Sequence, residues 1–314
     1  MNILITGGAG FIGANFCHYV YNKSDNFVCL DALTYAGNKE NIEDLLNNQN
    51  FKFILGNICD EELVDKVIKE NKIDVVVNFA AESHVENSIK APQPFIDTNI
   101  TGVRVLLDAC KKHNVKRFHQ VSTDEVYGEL KDGDPSFLET SPLKPTNPYS
   151  ISKAAADLLV LSYNKMFNLD TTISRCSNNY GIYQHKEKFV SKSIQDVINN
   201  RNITVHGDGK NIRDWINVLD HCEGIKRIIE SGRSGEIYNI GSSGEKTNLE
   251  VAKTILSCFK SSKSKIEFVK NRKNNDYRYS INYDKISKEL GYKPKYTFEN
   301  SLQTIIDWYK QNSN

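Results

Sequence analysis

Two neighbouring carboxylates in the middle of the chain have the spacing of an acid–base pair. Asp124 and Glu125 stand side by side in the segment Ser-Thr-Asp-Glu-Val-Tyr-Gly, residues 122–128. Two carboxyl groups in different environments can hold different protonation states, so that one donates a proton while the other accepts one. The same order is also typical of a helix N-terminus, where Thr123 would cap the first turn and the acids would favour the helix dipole. The segment alone leaves both interpretations open.

A glycine-rich turn near the N-terminus indicates a dinucleotide site. The segment Gly-Gly-Ala-Gly-Phe-Ile-Gly, residues 7–13, follows the apolar run 3–5 directly and opens a helix-like stretch over 11–21. Glycines let the backbone turn tightly and approach a pyrophosphate, while the helix N-terminus supplies N–H donors. Asp31 would accept hydrogen bonds from a ribose 2′-OH and repel a 2′-phosphate, which favours NAD over NADP. A tight turn without a ligand is the alternative.

Tyr149 and Lys153 are a second candidate for proton transfer. They are four residues apart in a segment that we expect to be helical, so both side chains lie on one helix face. A phenol has a pKa near 10 and is a poor base at neutral pH, but an adjacent ammonium and the positive nicotinamide of NAD⁺ would stabilise the phenolate. The spacing alone is common on solvated helices. The upstream glycine-rich turn is what favours the catalytic interpretation.

The elements that must position these residues alternate between short apolar runs and helical stretches. Continuous apolar runs bounded by Gly, Asp or Asn suit strands that are covered on both faces. The pattern predicts an α/β fold, a doubly wound parallel sheet with ligands outside the carboxyl ends of its strands. The predicted strands are residues 3–5, 27–30, 51–55, 74–78 and 118–121, and the predicted helical stretches are 11–21 and about 94–113.

The chain changes character after about residue 175. Its segments become shorter and carry Gly-Asp-Gly at 207–209 and Gly-Ser-Ser-Gly at 241–244. We therefore predict an NAD-binding domain over 1–175, to which later segments return, and a smaller domain over 176–314. Arg213 and Arg272 lie in this second part, where a substrate with phosphates would need bidentate cations. Either arginine is equally suited to a surface ion pair.

Composition excludes several classes of protein. The 314 residues include 40 Lys and Arg against 39 Asp and Glu, a net charge of +1, which argues against a nucleic-acid-binding protein. No run approaches the roughly 18 apolar residues of a membrane span, and the start lacks a signal-peptide pattern, so we expect a cytoplasmic protein. The seven cysteines contain no Cys-x-x-Cys pair, and His84 has no partner at metal spacing. We expect reduced thiols, a structural role for His84 and no metal.

Taken together, the motifs resemble those of the extended short-chain dehydrogenase/reductase superfamily, and within it the nucleotide-sugar 4,6-dehydratases, above all those acting on dTDP-glucose. The resemblance covers nearly the whole chain and implies a Rossmann-like fold. The Asp-Glu pair after Thr123 is the discriminating mark, since related epimerases generally lack it. The matching segments are residues 7–13, 30–38, 78–85, 122–128, 149–153, 175–181, 212–215 and 238–241.

The resemblance also implies a reaction, the NAD-dependent dehydration of a nucleotide-activated hexose to its 4-keto-6-deoxy form. Tyr149 would take the proton of the sugar 4-OH, Lys153 would hold the phenolate, and Thr123 would hydrogen-bond the C4 oxygen. Glu125 would then remove the C5 proton, and Asp124 would protonate the departing 6-OH.

Binding residues and assembly follow from the same resemblance. It implies a sugar-nucleotide substrate and a homodimer joined through helices beside Tyr149. The residues implied for NAD are Gly7, Gly10, Phe11, Ile12, Gly13, Asp31, Leu33, Thr34, Asn57, Ile58, Ala80, Ala81, Ser83, Thr98, Tyr149, Lys153 and Asn179. Those implied for the sugar nucleotide are Ser83, Thr123, Asn178, Lys188, Arg213, Asn248 and Arg272.

Departures from the family pattern leave the substrate open. Asn57 replaces the usual Asp, although its amide oxygen can still accept from an adenine amino group. The segment 271–277 differs from the family's loop beside the nucleotide diphosphate, and Asn275 replaces its His. dTDP-glucose is the expected substrate, with UDP-glucose, UDP-N-acetylglucosamine or another nucleotide sugar as alternatives. A 4-epimerase and a non-catalytic NAD-binding sensor are the other hypotheses.

Overall fold

Helices and strands alternate along most of the chain in the computed structural model, which describes residues 1–271 and 276–312. The strands are β1 Asn2–Thr6, β2 Asn26–Asp31, β3 Phe51–Leu55, β4 Val75–Asn78, β5 Arg117–Thr123, β6 Thr171–Cys176, β7 Asn178–Tyr180, β8 Ile203–His206, β9 Ile212–Asn217, β10 Ile237–Ile240, β11 Glu245–Thr247, β12 Ile266–Val269 and β13 Arg278–Tyr279. The α-helices are α1 Phe11–Val20, α2 Glu61–Glu70, α3 Val85–Lys90, α4 Gln93–Ile96, α5 Val103–Lys112, α6 Pro148–Phe167, α7 Phe189–Ile198, α8 Val218–Ser231, α9 Asn248–Ser257, α10 Asp284–Leu290 and α11 Phe298–Asn312.

A seven-stranded sheet forms the centre of the molecule. Its strand order is β10-β6-β5-β4-β1-β2-β3, and every neighbouring pair is parallel. The order reverses between β1 and β4, which makes this the switch point of a doubly wound sheet and the place where such sheets bind ligands. The α/β prediction is confirmed.

Alternate residues of the same strand pack into different cores, which explains the continuous apolar runs. Ile3 and Ile5 of β1 belong to the core on one face of the sheet, together with Phe16 of α1. Leu4 belongs to the core on the other face, with Leu106 of α5. Because helices cover both faces of the sheet, Ile3 and Ile5 on one face and Leu4 on the other are all apolar.

Each of the five apolar runs chosen from the sequence becomes a strand, β1 to β5. The expected helical stretch over about 94–113 is confirmed as an unbroken helical run, in which a π-helical turn, Asp97–Gly102, lies between α4 and α5. π-helical turns are rare and frequently occur at functional sites. This one carries Thr98, a residue implied for cofactor binding.

Segments from the second half of the chain contribute to the central sheet and also build a separate core. β10 pairs with β6, and α8 packs against α1. A third apolar core forms among α7, α9, α11 and β9, with Ile194, Trp215 and Ile305 among its residues. The division into two domains at residue 175 stays a prediction.

Three further observations concern expectations based on composition. All seven cysteines are free thiols, five of them buried. Within residues 1–271 and 276–312, no group of three His, Cys, Asp or Glu side chains is placed to hold a metal ion. The same residues include no helix long and apolar enough to cross a membrane.

Candidate active site

The glycine-rich turn between β1 and α1 is packed so tightly against backbone that two of its glycines, Gly7 and Gly13, have no room for a side chain. Gly7 has φ +68°, and a Cβ there would lie 2.6 Å from the backbone nitrogen of Ala80. A Cβ on Gly13 would lie 2.2 Å from the Gly7 carbonyl oxygen. At Gly10 a Cβ would meet only the Gly7 oxygen, at 3.3 Å. The protein's own packing therefore requires Gly7 and Gly13, whereas Gly10 keeps the cleft side of the turn clear.

The N-terminus of α1 has the properties of an anion site. Gly10 is the residue before its first turn and supplies no side-chain cap, and that turn contains no acidic residue. The first N–H groups of a helix lack partners within the helix, and its dipole favours negative charge at this end. A pyrophosphate would satisfy both.

Asp31 ends β2 beside this turn with its carboxylate held in place. Its Oδ2 accepts a hydrogen bond from the Ala9 N–H at 2.9 Å, and its Oδ1 accepts one from the Leu33 N–H at 2.8 Å. Burial raises the pKa of the Asp31 carboxyl, and the two N–H groups oppose that rise. Each carboxylate oxygen retains acceptor capacity for a ribose hydroxyl.

A tight turn at the end of β5 holds the two neighbouring acids. We call it the acid–base turn, the 3₁₀-helical residues Asp124–Tyr127. Thr123 caps it, since its Oγ1 accepts from the Glu125 N–H at 3.3 Å, and the same Oγ1 lies 3.4 Å from Asp124 Oδ1. The capping interpretation is therefore correct in geometry. It does not exclude the chemical one, because both acids line the cleft.

The two acids have different surroundings. Burial raises the pKa of Asp124 well above its usual range, and the charge of Glu125 adds to the rise. Burial also raises the pKa of Glu125, but the positive charges of Arg213 and Lys188 oppose that rise. Among the described residues, Asp124 Oδ2 has no hydrogen-bond partner. Asp124 is therefore the better proton donor and Glu125 the better acceptor.

Helix α6 brings Tyr149 and Lys153 to the same cleft. It begins with a capping box in which the Asn147 side chain accepts from the Ser150 N–H at 2.9 Å. Lys153 is buried, and its Nζ donates to the Val121 carbonyl at 2.7 Å. Burial lowers the pKa of Lys153 and raises that of Tyr149, and the Glu125 charge raises the Tyr149 pKa further. The protein's own groups thus keep the phenol protonated.

The residues implied for the sugar nucleotide are distributed unevenly. Ser83, Asn178 and Lys188 line the cleft, and the Lys188 Nζ donates to the Ser83 carbonyl at 3.3 Å. Arg213 lies outside the lining; its guanidinium stacks on the ring of Tyr279, 4.5 Å from the centroid. Asn248, the first residue of α9, does not line the cleft. Arg272 lies outside the described residues.

A single cleft brings together most of the residues singled out from the sequence. Of the expected residues in the described part, Leu33, Arg213 and Asn248 do not line it. Leu33 acts through its N–H, which orients Asp31. The residues that do line it are Gly7, Gly10, Phe11, Ile12, Gly13, Asp31, Thr34, Asn57, Ile58, Ala80, Ala81, Ser83, Thr98, Thr123, Asp124, Glu125, Tyr149, Lys153, Asn178, Asn179 and Lys188.

Two amide side chains implied for NAD, those of Asn57 and Asn179, already have partners within the protein. Asn57 Oδ1 accepts from the Cys59 N–H at 2.9 Å, so an adenine amino group would have to share that oxygen. The Asn179 Oδ1 lies 3.0 Å from His221 Nδ1, and its Nδ2 donates to the Ser177 carbonyl at 3.0 Å.

Sequence reasoning missed a cluster at the mouth of the cleft. Glu187 Oε2 lies 3.4 Å from His84 Nε2 and 3.7 Å from His185 Nδ1, and the His185 ring meets Tyr35 edge-on. Tyr35 belongs to the segment 30–38, which matches the family pattern, so the sequence could have indicated this residue. Nothing in the sequence pattern marked His185 or Glu187. His84 also caps α3 through Nδ1, which accepts from the Asn87 N–H, a structural role as expected.

The fold and the cleft together define a short-chain dehydrogenase/reductase-type protein, with a dinucleotide turn facing a Tyr-x-x-x-Lys helix. A family model described as GDP-mannose 4,6 dehydratase matches residues 4–305. The chain belongs to this family of nucleotide-sugar dehydratases.

Known proteins are similar to the chain over nearly its full length. It is 48% identical to the low-salt glycan biosynthesis protein Agl12 of Haloferax volcanii, over 98% of each chain. It is 44% identical to dTDP-glucose 4,6-dehydratase of Mycobacterium tuberculosis, over 99% of this chain and 94% of that one. The crystal structure of dTDP-glucose 4,6-dehydratase from Bacillus anthracis in complex with NAD superposes with a TM-score of 0.93, at 44% identity, over 100% of this chain and 97% of that one.

Proposed function

We propose that the protein is an NAD-dependent dehydratase that converts a nucleotide-activated hexose to its 4-keto-6-deoxy form, with dTDP-glucose as the substrate. The observation that carries the proposal is the pair Asp124 and Glu125 lining the same cleft as Tyr149, Lys153 and the glycine-rich turn. A 4-epimerase needs the tyrosine and the turn but has no use for this acid–base pair. The relatives named as dTDP-glucose 4,6-dehydratases support both the reaction and the substrate.

The cleft fits NAD on its own chemistry. The open side of Gly10 and the uncapped N-terminus of α1 suit a pyrophosphate, and the buried Asp31 carboxylate suits a ribose diol. When bound, oxidised NAD accepts a hydride from C4 of the sugar and later returns it to C6. Its positive nicotinamide also supplies the charge that favours the phenolate of Tyr149, which the protein's own groups disfavour.

Tyr149 acts first, by taking the proton of the sugar 4-OH. Lys153 lies one helical turn after Tyr149 and donates a hydrogen bond to the Val121 carbonyl. From there its charge stabilises the negative phenolate. Thr123 Oγ1, at the end of β5, holds the C4 oxygen by a hydrogen bond. The proton leaves O4 for the phenolate as the C4–H bond breaks, and the sugar becomes a 4-ketone.

The two acids then remove water. A ketone at C4 acidifies the C5 proton, which the Glu125 carboxylate accepts, and the electron pair forms the C5–C6 double bond as the C6–O bond breaks. Asp124, kept protonated by burial, gives its proton to the departing hydroxyl. After hydride return at C6, Glu125 gives its proton back to C5. The sum is the loss of one water with no net change in the cofactor.

We also propose a cytoplasmic homodimer that buries the outer face of α6. Ile151 and Leu158 are two turns apart on that face, and more than half of each side chain is exposed. Light scattering should give twice the mass of one chain, and Leu158→Lys should reduce it to one. Cell fractionation checks the compartment. The seven free thiols and the intracellular supply of sugar nucleotides favour the cytoplasm.

The test of the proposed function is an incubation with dTDP-glucose, UDP-glucose and UDP-N-acetylglucosamine separately, with the product read by mass. Loss of one water without accumulation of NADH supports the internal hydride cycle. A preference for a UDP-sugar would contradict dTDP-glucose as the substrate while preserving the reaction. Loss of no water from any of the three, with the protein folded and NAD bound, would contradict the dehydratase.

A further inference from the structure

A buried ion pair joins β6 to α6, the helix that carries Tyr149 and Lys153. Arg175 of β6 donates from Nε to Asp157 Oδ2 of α6 at 2.9 Å, with side-chain exposures of 2% and 0%. Two buried charges are costly to take out of water, and replacing such a pair by apolar residues is often neutral or stabilising. The pair is therefore weak as an explanation of stability.

One end of the pair belongs to the helix that carries Tyr149 and Lys153. Asp157 is four residues after Lys153, so Tyr149, Lys153 and Asp157 occupy successive turns of one helix face. The carboxylate of Asp157 favours the charged form of the buried Lys153. An interaction that fixes Asp157 therefore also fixes the face of α6 that carries Tyr149 and Lys153.

The other end of the pair belongs to the acid–base turn. The Arg175 guanidinium lies over the ring of Tyr127, 4.8 Å from its centroid, and Tyr127 is the last residue of that turn. Arg175 of β6 also lies opposite Ser122 of β5 in the register of the two strands, and Ser122 is two residues before Asp124. Tyr127 is itself fixed, since its hydroxyl donates to Asn239 Oδ1 at 2.7 Å.

We propose that Arg175, paired with Asp157 and stacked on Tyr127, is a positioning residue that fixes the acid–base turn relative to the Tyr149–Lys153 face of α6. The inference rests on the proposed function. Oxidation at C4 needs the groups on α6, and elimination across C5 and C6 needs those on the turn. One bound sugar can complete both steps only if the two elements keep a fixed separation.

The test replaces both charges together, because either one left alone would be a buried unpaired charge. Arg175→Met with Asp157→Leu should fold with an unfolding temperature close to that of the unaltered protein. Oxidation at C4 should slow modestly through the loss of the Asp157 charge near Lys153, while elimination should slow by a further factor of roughly ten to a hundred, the cost of a small displacement of reacting groups. Reduced nicotinamide and a 4-keto sugar that retains its 6-OH should accumulate in rapid-quench samples.

A matched control is the pair Arg117 and Asp170, which joins the starts of the same two strands at 2.9 Å, at the end of the sheet opposite the cleft. Arg117→Met with Asp170→Leu should leave the ratio of the two rates unchanged. Arg175→Lys keeps a charge for Asp157 but loses the planar stack on Tyr127, so it should show the same imbalance if the double variant does not fold.

The outcomes are distinguishable. Equal slowing of both steps, or an unchanged ratio in a folded Arg175 variant, would overturn the positioning role while the proposed function stands. An imbalance of the same size in the Arg117–Asp170 control would also overturn it. Absence of turnover by the unaltered protein would overturn the proposed function and the positioning role with it.

Discussion

Replacing Asp124 with Asn removes the proton that the acid would transfer while keeping the size of the side chain. Loss of a general acid costs roughly a hundredfold to ten-thousandfold in rate, or about 3–5 kcal/mol of transition-state stabilisation. The turnover rate of Asp124→Asn, measured as the loss of water from the sugar nucleotide, should fall by that factor. NAD binding should not change, because Asp124 is not among the residues implied for the cofactor.

The same variant should be more stable than the unaltered protein at high pH. Asp124 is buried, its Oδ2 has no partner among the described residues, and the charges of Glu125 and Asp214 oppose its ionisation. Its pKa is therefore raised in the folded state, whereas in the unfolded chain it is near 3.9. The contribution of this carboxyl to stability is present below the unfolded pKa and is lost as the pH rises through the folded pKa.

The gain from Asn at position 124 should thus be small near pH 4 and grow with pH, by about 1.4 kcal/mol for each unit by which the folded pKa exceeds the unfolded one. Thermal unfolding at pH 5 and pH 8 measures it. Asp214→Asn is the contrasting control, because burial also raises the pKa of Asp214 but the Gly244 N–H at 2.7 Å and the Ser242 N–H at 3.2 Å oppose that rise, so its change with pH should be smaller. Turnover equal to that of the unaltered protein, or a stability difference that is the same at both pH values, would refute the reasoning.

Three other predictions concern the base and the cofactor site. Glu125→Gln should leave oxidation at C4 intact and slow dehydration roughly a hundredfold or more, so that reduced nicotinamide and a 4-keto sugar that retains its C5 proton accumulate. Gly13→Ala should destabilise the protein by about 1–3 kcal/mol, since its Cβ would overlap the Gly7 oxygen, whereas Gly10→Ala should fold normally and lose NAD affinity by titration. Asp31→Asn should reduce the ratio of NAD to NADP affinity, because the negative charge that repels a 2′-phosphate is gone; an unchanged ratio would contradict that role.

Local pattern was sufficient for the strands and for the dinucleotide turn. A strand buried on both faces must be apolar at successive positions, as β1 and β4 are, and a chain that reverses within a few residues needs glycine, as at Gly7. Such requirements act on neighbouring residues, so they can be read from the sequence. The π-helical turn at Asp97–Gly102 could not, because a shift from i→i+4 to i→i+5 hydrogen bonds leaves the apolar periodicity almost unchanged.

The sequence by itself determined the α/β fold, the adjacent positions of Asp124 and Glu125, and the shared helix face of Tyr149 and Lys153, because each depends on residues a few positions apart. The tertiary structure decided which acid is more strongly held protonated, through burial and the charges of Arg213 and Lys188. It also brought distant segments into contact, since Arg175 of β6 pairs with Asp157 of α6 and stacks on Tyr127 of the acid–base turn. Burial, charge and pairing depend on residues tens of positions apart, and only the folded chain sets those distances.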